Sequence, residues 1–392
     1  MSILVINAGS TSLKFGLFDD DAQNLLASGG VSWADGKRGG ATLAYRARDA
    51  EEVKSAVDVR NHHDAAHSAL QILGSQANIR AVGHRVVHGG TEFRESVLID
   101  ENVIGTIARL AELAPLHNPP ALEAIKAIEA ALPGVPEAAV FDTAFFAALP
   151  PRAYVYPLPY EWHQKWGIRR FGFHGISHAY CTQRAADLLG RPPAELRLVT
   201  CHLGGGCSAT AVHRGVPVST TMGFTPIEGL MMTTRPGSVD PGVLLHLLRR
   251  QGLTVDELDE ALHHRSGLLG VAGVSATLSQ VEKAAQQGNE RAQLAYQMFV
   301  DRIRSTIGAL TVTLGGIDAL VFTAKIGEIF PSLRAAVCEN LECLGLRLDQ
   351  DRNAACQPDA DIATADSVGR ILVIETREDL MIARETARLL TA

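Results

Sequence analysis

Residues 3–18, ILVINAGSTSLKFGLF, set the strongest limit on what this chain can fold into. An apolar run ends at Asn7, a turn of glycine and hydroxyl residues follows, and alternation resumes to Phe18, which predicts two strands joined by a tight polar loop. Such a loop has two readings. It is a polar β-hairpin and nothing more, or it is a phosphate cradle. In the second reading Gly9 allows close backbone approach, Ser10, Thr11 and Ser12 offer hydroxyls, Asn7 can hold a metal-bound water, and Lys14 supplies a fixed positive charge. A second copy favours the cradle. Residues 198–213, LVTCHLGGGCSATAVH, repeat the layout, with His202 where Asn7 falls and Gly204 where Gly9 falls. Two such units so far apart predict a duplicated domain, each half offering a phosphate loop to one cleft.

A chain of 392 residues is long for one core, so two domains are expected. No apolar run is long enough to span a bilayer, and Met1 leads directly into a strand rather than a signal peptide, so a cytoplasmic protein without a membrane partner is expected. The net charge of −7, with no Lys/Arg block, argues against a nucleic-acid partner. Anionic ligands then need locally placed cations. The six cysteines show no CxxC pairing or zinc spacing and read as reduced, mostly buried thiols, with Cys201 and Cys207 beside the second glycine loop as candidates for oxidation.

Residues 25–31 and 41–46 extend the first hairpin into an antiparallel meander, with 35–40 as a flexible turn, 62–76 as a helix and 79–87 as a buried strand. Arg85 sits near the end of that strand, in GHRVVHG (83–89), where a guanidinium can enter a cleft or simply meet solvent. An amphipathic helix over 101–113 is stopped at APLHNPP (114–120), which holds His117 in a stiff loop. Asp142 follows a strand, the usual place for an acid in an α/β cleft, and also suits a helix N-cap. The proline-rich stretch 149–159 marks a domain boundary, and RRFGFHGISH (169–178) gathers two arginines, two aromatics and two histidines around glycines. The aperiodic loop 222–241 carries a single cation, Arg235, and ends where a helix over 242–251 begins. Further helices are expected over 255–263, 278–287 and 290–314. The last is alanine-rich with few exposed charges, which suits an inter-domain or inter-subunit element. A strand over 318–323 runs into AKIGE (324–328), again a phosphate or nucleotide position, and a final strand over 371–374 precedes a closing helix over 377–390.

These motifs together resemble the acetate/propionate kinase family over nearly the whole length. The resemblance rests on NAGSTSLK (7–14), GHRVVHG (83–89), FGFHG (171–175) with Ser177 and His178, and MGFTP (222–226) with EGLMM (228–232). It implies an α/β fold of two duplicated ribonuclease-H-like (actin-like ATPase) domains, with mixed sheets flanked by helices, a hinged inter-domain cleft and a homodimer. It implies boundaries of 1–148 with the closing helix 380–392 for the N-terminal domain, and 149–379 for the nucleotide-binding one. Matched residue by residue, Asn7 and Glu378 are implied to organise Mg²⁺, with Mn²⁺ as a substitute. Arg85, His174 and Arg235 are implied to hold the transferring phosphoryl group, and Asp142 to be the catalytic acid. Val87, Leu116, Phe173 and Pro226 form the implied acyl pocket, with His117 beside it. Lys14, Ser10 and Ser12 are implied nucleotide contacts, as are His202, Leu203, Gly204, Gly205 and Gly206, then Thr277, Leu278 and Ser279, and Lys325, Ile326, Gly327, Glu328 and Ile329.

The implied reaction is transfer of the ATP γ-phosphoryl group to acetate, giving acetyl phosphate and ADP. A carboxylate with a pKa of about 4 is already ionised at neutral pH and needs no general base. What it needs is compensation for two anions meeting in line, so Asp142 is expected to orient Arg85 or a metal-bound water. The sequence departs from the family's pattern on the nucleotide side. Gly205 replaces asparagine, Thr277 and Ser279 replace aspartate and arginine, and Lys325 and Ile329 replace glycine and asparagine. The alternatives are therefore a kinase for propionate or another short-chain acid, a member with relaxed nucleotide use or pyrophosphate as donor, and an actin-like ATP-binding module.

Overall fold

The computed structural model describes residues 1–9, 11–33, 40–74 and 77–391. Ser10, most of the turn expected at 35–40, and the last two residues, Ser75 and Gln76, of the helix expected over 62–76 lie outside them. The chain divides into two compact units, Met1–Ala147 with Arg377–Ala392, and Ala148–Thr376.

In the first unit the strands are β1 (Ser2–Gly9), β2 (Ser12–Asp19), β3 (Leu25–Ser32), β4 (Ala41–Ala47), β5 (Val53–Val57), β6 (Ile79–Val86), β7 (Val97–Leu98) and β8 (Glu137–Phe141). They form one mixed sheet in the order β5-β4-β3-β2-β1-β6-β8-β7. β1 to β5 are antiparallel neighbours, whereas β1 pairs in parallel with β6, and β6 with β8. Strand β5 was missed in the sequence because its residues are almost all exposed, leaving no alternation to read.

β1 reads as an unbroken apolar run because both of its faces are covered. Leu4 and Ile6 pack with Ala65, Ala66 and Ala69 of helix His62–Leu73 and with Ala124, Ala127 and Ile128 of helix Asn118–Ala131. Small alanine side chains let those helices lie close to the sheet. On the other face runs the closing helix Glu378–Thr391. Gly83, opposite Val5 in the register, has no room for a Cβ against Ile382, whose Cγ2 would lie 2.8 Å away. Helix His62–Leu73 ends at Gly74, whose φ of 69° suits glycine and whose N–H returns to the Leu70 carbonyl. The expected helix over 101–113 is α-helical only for Glu101–Arg109 and tightens to a 3₁₀ turn over Leu110–Glu112.

The second unit repeats the plan with β9 (Arg197–Leu203), β10 (Cys207–His213), β11 (Val216–Thr220), β12 (Ala319–Thr323), β13 (Ala360–Asp361) and β14 (Arg370–Val373), in the order β11-β10-β9-β12-β14-β13. An antiparallel meander again feeds two parallel neighbours, β9 beside β12 and β12 beside β14. Helix Glu290–Leu314 buries Ala292, Ala295, Phe299, Ile303 and Ile307 and packs on this sheet. Its buried alanines therefore serve the core of its own unit. The loop between β11 and helix Pro241–His246 carries no helix or strand, as its lack of periodicity foretold, and that helix widens into a π turn over Leu247–Gln251.

Candidate active site

Parallel pairing brings the carboxyl ends of β1, β6 and β8 to one edge of the first sheet, and three predicted residues meet there. Arg85 donates from Nη1 to Asn7 Oδ1 at 3.3 Å and from Nη2 to Asp142 Oδ2 at 2.5 Å. Asp142 follows β8 directly and is 1% exposed. Burial alone would depress the Arg85 guanidinium, but the charges of Asp142, Glu378 and Asp379 outweigh it and hold the group more firmly protonated than usual. The closing helix brings Glu378 and Asp379 to the same edge. Burial and the neighbouring Glu378 raise the Asp379 carboxyl to about 6, against the pull of Lys14 and Arg85. Lys14 lies opposite Asn7 in the hairpin, and Ser12 opposite Gly9.

Past β6 the chain is clamped by Asn118, which accepts from the His88 N–H at 3.1 Å and donates to the His88 carbonyl at 3.0 Å. This ties the segment holding Val87 to the one holding Leu116 and His117. Val87 is 9% exposed and Leu116 45% exposed, and His117 stands at the start of helix Asn118–Ala131 without capping it. His88 Nδ1 accepts from the Gly90 N–H, and burial pushes the ring down to about 4.

In the second unit the β9–β10 hairpin closes through Gly204, Gly205 and Gly206, with Leu203 opposite Cys207. A Cβ on Gly206 would lie 2.7 Å from Arg235 Nη2 and 3.1 Å from His174 Nε2, so the guanidinium and the imidazole both rest against this glycine. Arg235 donates from Nη1 to the Pro226 carbonyl at 2.6 Å, and among the described residues no carboxylate pairs with it. Burial accordingly lowers its affinity for the proton. His174 has a φ of 58° at the start of helix Gly175–Leu189 and stacks on His202 at 4.1 Å. Its Nδ1 lies 2.9 Å from Ser208 Oγ, which also meets His178 Nε2 at 2.8 Å, while Ser177 Oγ meets His202 Nδ1 at 2.8 Å. Phe173, just before His174, is 1% exposed.

The turn after β12 abuts the same loop, with the site of a Cβ on Gly204 3.7 Å from Ala324 Cβ. Ala324 holds a φ of 62°, fixed by Thr376 Oγ1, which accepts its N–H at 2.8 Å. Buried Arg334 donates to the carbonyls of Gly327 at 2.9 Å and Glu328 at 2.7 Å, locking the far end of the turn.

Residues 2–384 match the sequence profile of the acetokinase family. The chain belongs to that family. An acetate kinase of Gloeobacter violaceus is 49% identical over 400 residues, covering 98% of each chain. One from a Cyanothece strain is 48% identical over 404 residues, covering all of this chain and 98% of its own. The crystal structure of Porphyromonas gingivalis acetate kinase superposes with a TM-score of 0.92 at 40% identity, over 99% of both chains. A Francisella tularensis propionate kinase structure gives a TM-score of 0.92 at 35% identity, again over 99% of both chains. As an acetokinase-family member the chain is a phosphotransferase with a carboxyl acceptor, and its two mixed sheets are those of the actin-like ATPase fold.

The residues matched to the family's nucleotide contacts differ in exposure. Leu203, Leu278 and Ile326 are 0%, 2% and 6% exposed, so their side chains belong to the core. Glu328 braces the fold, its Oε1 accepting the Thr376 N–H at 2.8 Å. Lys325 and Ile329 are exposed, and Thr277 and Ser279 lie exposed at the start of helix Leu278–Gln286, with no hydrogen bond to the glycine loop among the described residues. Ser10 lies outside the described residues. The oxidation reading of Cys201 and Cys207 is corrected. Both are fully buried, and burial raises Cys201 beyond the range of any physiological titration and Cys207 to about 12, so neither forms the reactive thiolate. Sequence reasoning missed Thr233, whose hydroxyl holds the Gly205 carbonyl at 3.0 Å, together with Thr376 and Arg334. The partners of Thr233 and Thr376 are distant in the chain, so spacing carried no signal for them. His178 had one, because His174 and His178 stand one helical turn apart.

Two outcomes follow from this geometry. Gly206→Ala should displace Arg235 and His174 together, lowering kcat by about 10²-fold while the thermal midpoint stays near that of the parent. Because the His88 ring binds a proton less readily folded than unfolded, its contribution to stability is complete above the ordinary value of 6.5. That contribution is lost by about 1.4 kcal/mol per pH unit on descending toward 4. Denaturant unfolding from pH 7 to 4 should show this slope, and His88→Gln should flatten it.

Proposed function

We propose that the chain catalyses reversible, Mg²⁺-dependent transfer of the ATP γ-phosphoryl group to acetate, giving acetyl phosphate and ADP by direct in-line transfer. One observation carries the reading. Arg235, a largely buried guanidinium with no carboxylate partner among the described residues, rests with His174 against Gly206 and lacks only an anion. A phosphoryl group supplies that anion, and its charge spreads over equatorial oxygens as transfer proceeds.

The roles follow from what each group can do. Arg235 and His174 donate to phosphoryl oxygens, and Arg85 offsets the repulsion between carboxylate and phosphoryl group. Asp142, 2.5 Å from Arg85, orients that guanidinium and takes no proton from acetate. The match to the family assigns Val87, Leu116, Phe173 and Pro226 to the acyl methyl, with His117 beside it. One methylene in an apolar pocket separates substrates by only about 10–200-fold, so propionate is a slower substrate. The loop Gly9–Ser12 with Lys14, the glycines Gly204–Gly206 and the turn at 324–329 bind the nucleotide, largely through backbone.

Among the described residues no three His, Cys, Asp or Glu side chains converge as a ready metal cage. The edge offers oxygen donors instead: the Asn7 amide, the Asp142 carboxylate, and Glu378 pressed against a second carboxylate, Asp379. That set fits Mg²⁺, which keeps most of its waters and binds through one or two carboxylates plus substrate phosphates. Asn7 and Glu378 would hold it, and when bound it neutralises charge on the β- and γ-phosphates. A homodimeric, cytoplasmic enzyme is part of the same proposal.

The test is hydroxylamine trapping of acyl phosphate by the purified chain with acetate or propionate, Mg²⁺, and ATP, GTP or pyrophosphate in parallel. Product with ATP and acetate is expected, and product from pyrophosphate alone would move the donor away from nucleotides. Asp142→Asn should lower kcat by about 10²-fold and alter the Mg²⁺ requirement; near-normal turnover with the requirement unchanged would remove its assigned role.

A further inference from the structure

His62 opens helix His62–Leu73 at the first position of its buried stripe, ahead of Ala65, Ala66 and Ala69, and is 4% exposed. A polar ring in that place is costly unless its nitrogens are met. Both are met. Nε2 lies 2.6 Å from the Gly9 carbonyl oxygen, and Nδ1 lies 2.8 Å from Glu123 Oε2 of helix Asn118–Ala131. Trp33 presents its edge to the ring at 5.0 Å and donates its own backbone N–H to the Thr11 carbonyl at 3.1 Å. The carbonyls of Gly9 and Thr11 are thus both bonded within the protein.

A carbonyl only accepts, so Nε2 donates to Gly9, while Nδ1 faces the carboxyl group of Glu123, whose side chain is 59% exposed. The acidic group in the first turn of the helix, Asp64, is taken by Arg60 at 3.0 Å, and its backbone N–H by the Asn61 cap. Glu123 is thus the side chain that braces the ring from behind.

We infer that His62 is a positioning residue for phosphate binding, resting on the ATP-dependent reading above. Braced by Glu123, its Nε2–H draws the Gly9 carbonyl away from the anion's place. A carbonyl released from this grip would present its negative end to a phosphate. His62 touches no reacting atom, so its effect falls on binding of the phosphate donor and not on the acyl group.

The experiment uses the full chain with acyl phosphate trapping and varied ATP and acetate. His62→Ala should raise KM for ATP by about tenfold and leave KM for acetate within about twofold. His62→Gln, whose amide N–H can reach the Gly9 carbonyl, should recover most of the ATP affinity, and Glu123→Gln should fall between. No product from the unaltered chain would sink the kinase reading itself. An active parent with unchanged ATP KM in His62→Ala would overturn the positioning role alone. So would both KM values rising together in the Ala and Gln variants, because that is the mark of a general structural defect.

Discussion

A buried guanidinium must find a negative partner, and Arg85 in the first unit and Arg235 in the second meet that demand in opposite ways. Arg85 has its partner in the fold: Asp142 holds it, Asn7 shares it, and the acidic start of the closing helix adds to the field. Arg235 has the Pro226 carbonyl and, among the described residues, no carboxylate. A neutral acceptor leaves most of the desolvation cost uncompensated, so a bound anion lowers the energy of the whole cluster. The first arginine is fixed in orientation by its partners, and the second keeps its charge to offer.

The duplicated sheet explains why these groups stand where they do. In each unit a meander is followed by two strands parallel to its first member, which places the first hairpin and the ends of the parallel strands at one edge. The copies then diverged in their polar chemistry. Asn7 in the first is His202 in the second, where it stacks under His174 and is held by Ser177. The backbone plan survived while the side chains took separate work.

What the sequence revealed follows from how local each cause is. Both hairpins, Asp142 at a strand end and the closing helix were legible because apolar alternation, a strand-to-loop change and helical periodicity are local. β5 was not, since an exposed edge strand has no buried face to mark it. The role of Asp142 as partner of Arg85 was legible from chemistry, because a carboxylate nucleophile needs no base. His62 was read only as the start of a helix. Its meaning depends on Gly9 and Glu123, 53 and 61 residues away. Long-range bonds of that kind leave no period in the chain.

The nucleotide side shows the same division from another direction. Lys325, Ile329, Thr277 and Ser279 all depart from the family's usual residues, and all four are exposed. The parts that fix the site's backbone are elsewhere. Thr233 holds Gly205, Thr376 holds Ala324 in its left-handed conformation, and Arg334 holds the carbonyls that end the turn. None of these bonds involves a departed side chain. The backbone of the glycine loop and of the pinned turn is therefore fixed independently of the four side chains that vary around it. A change at those exposed positions costs the fold almost nothing.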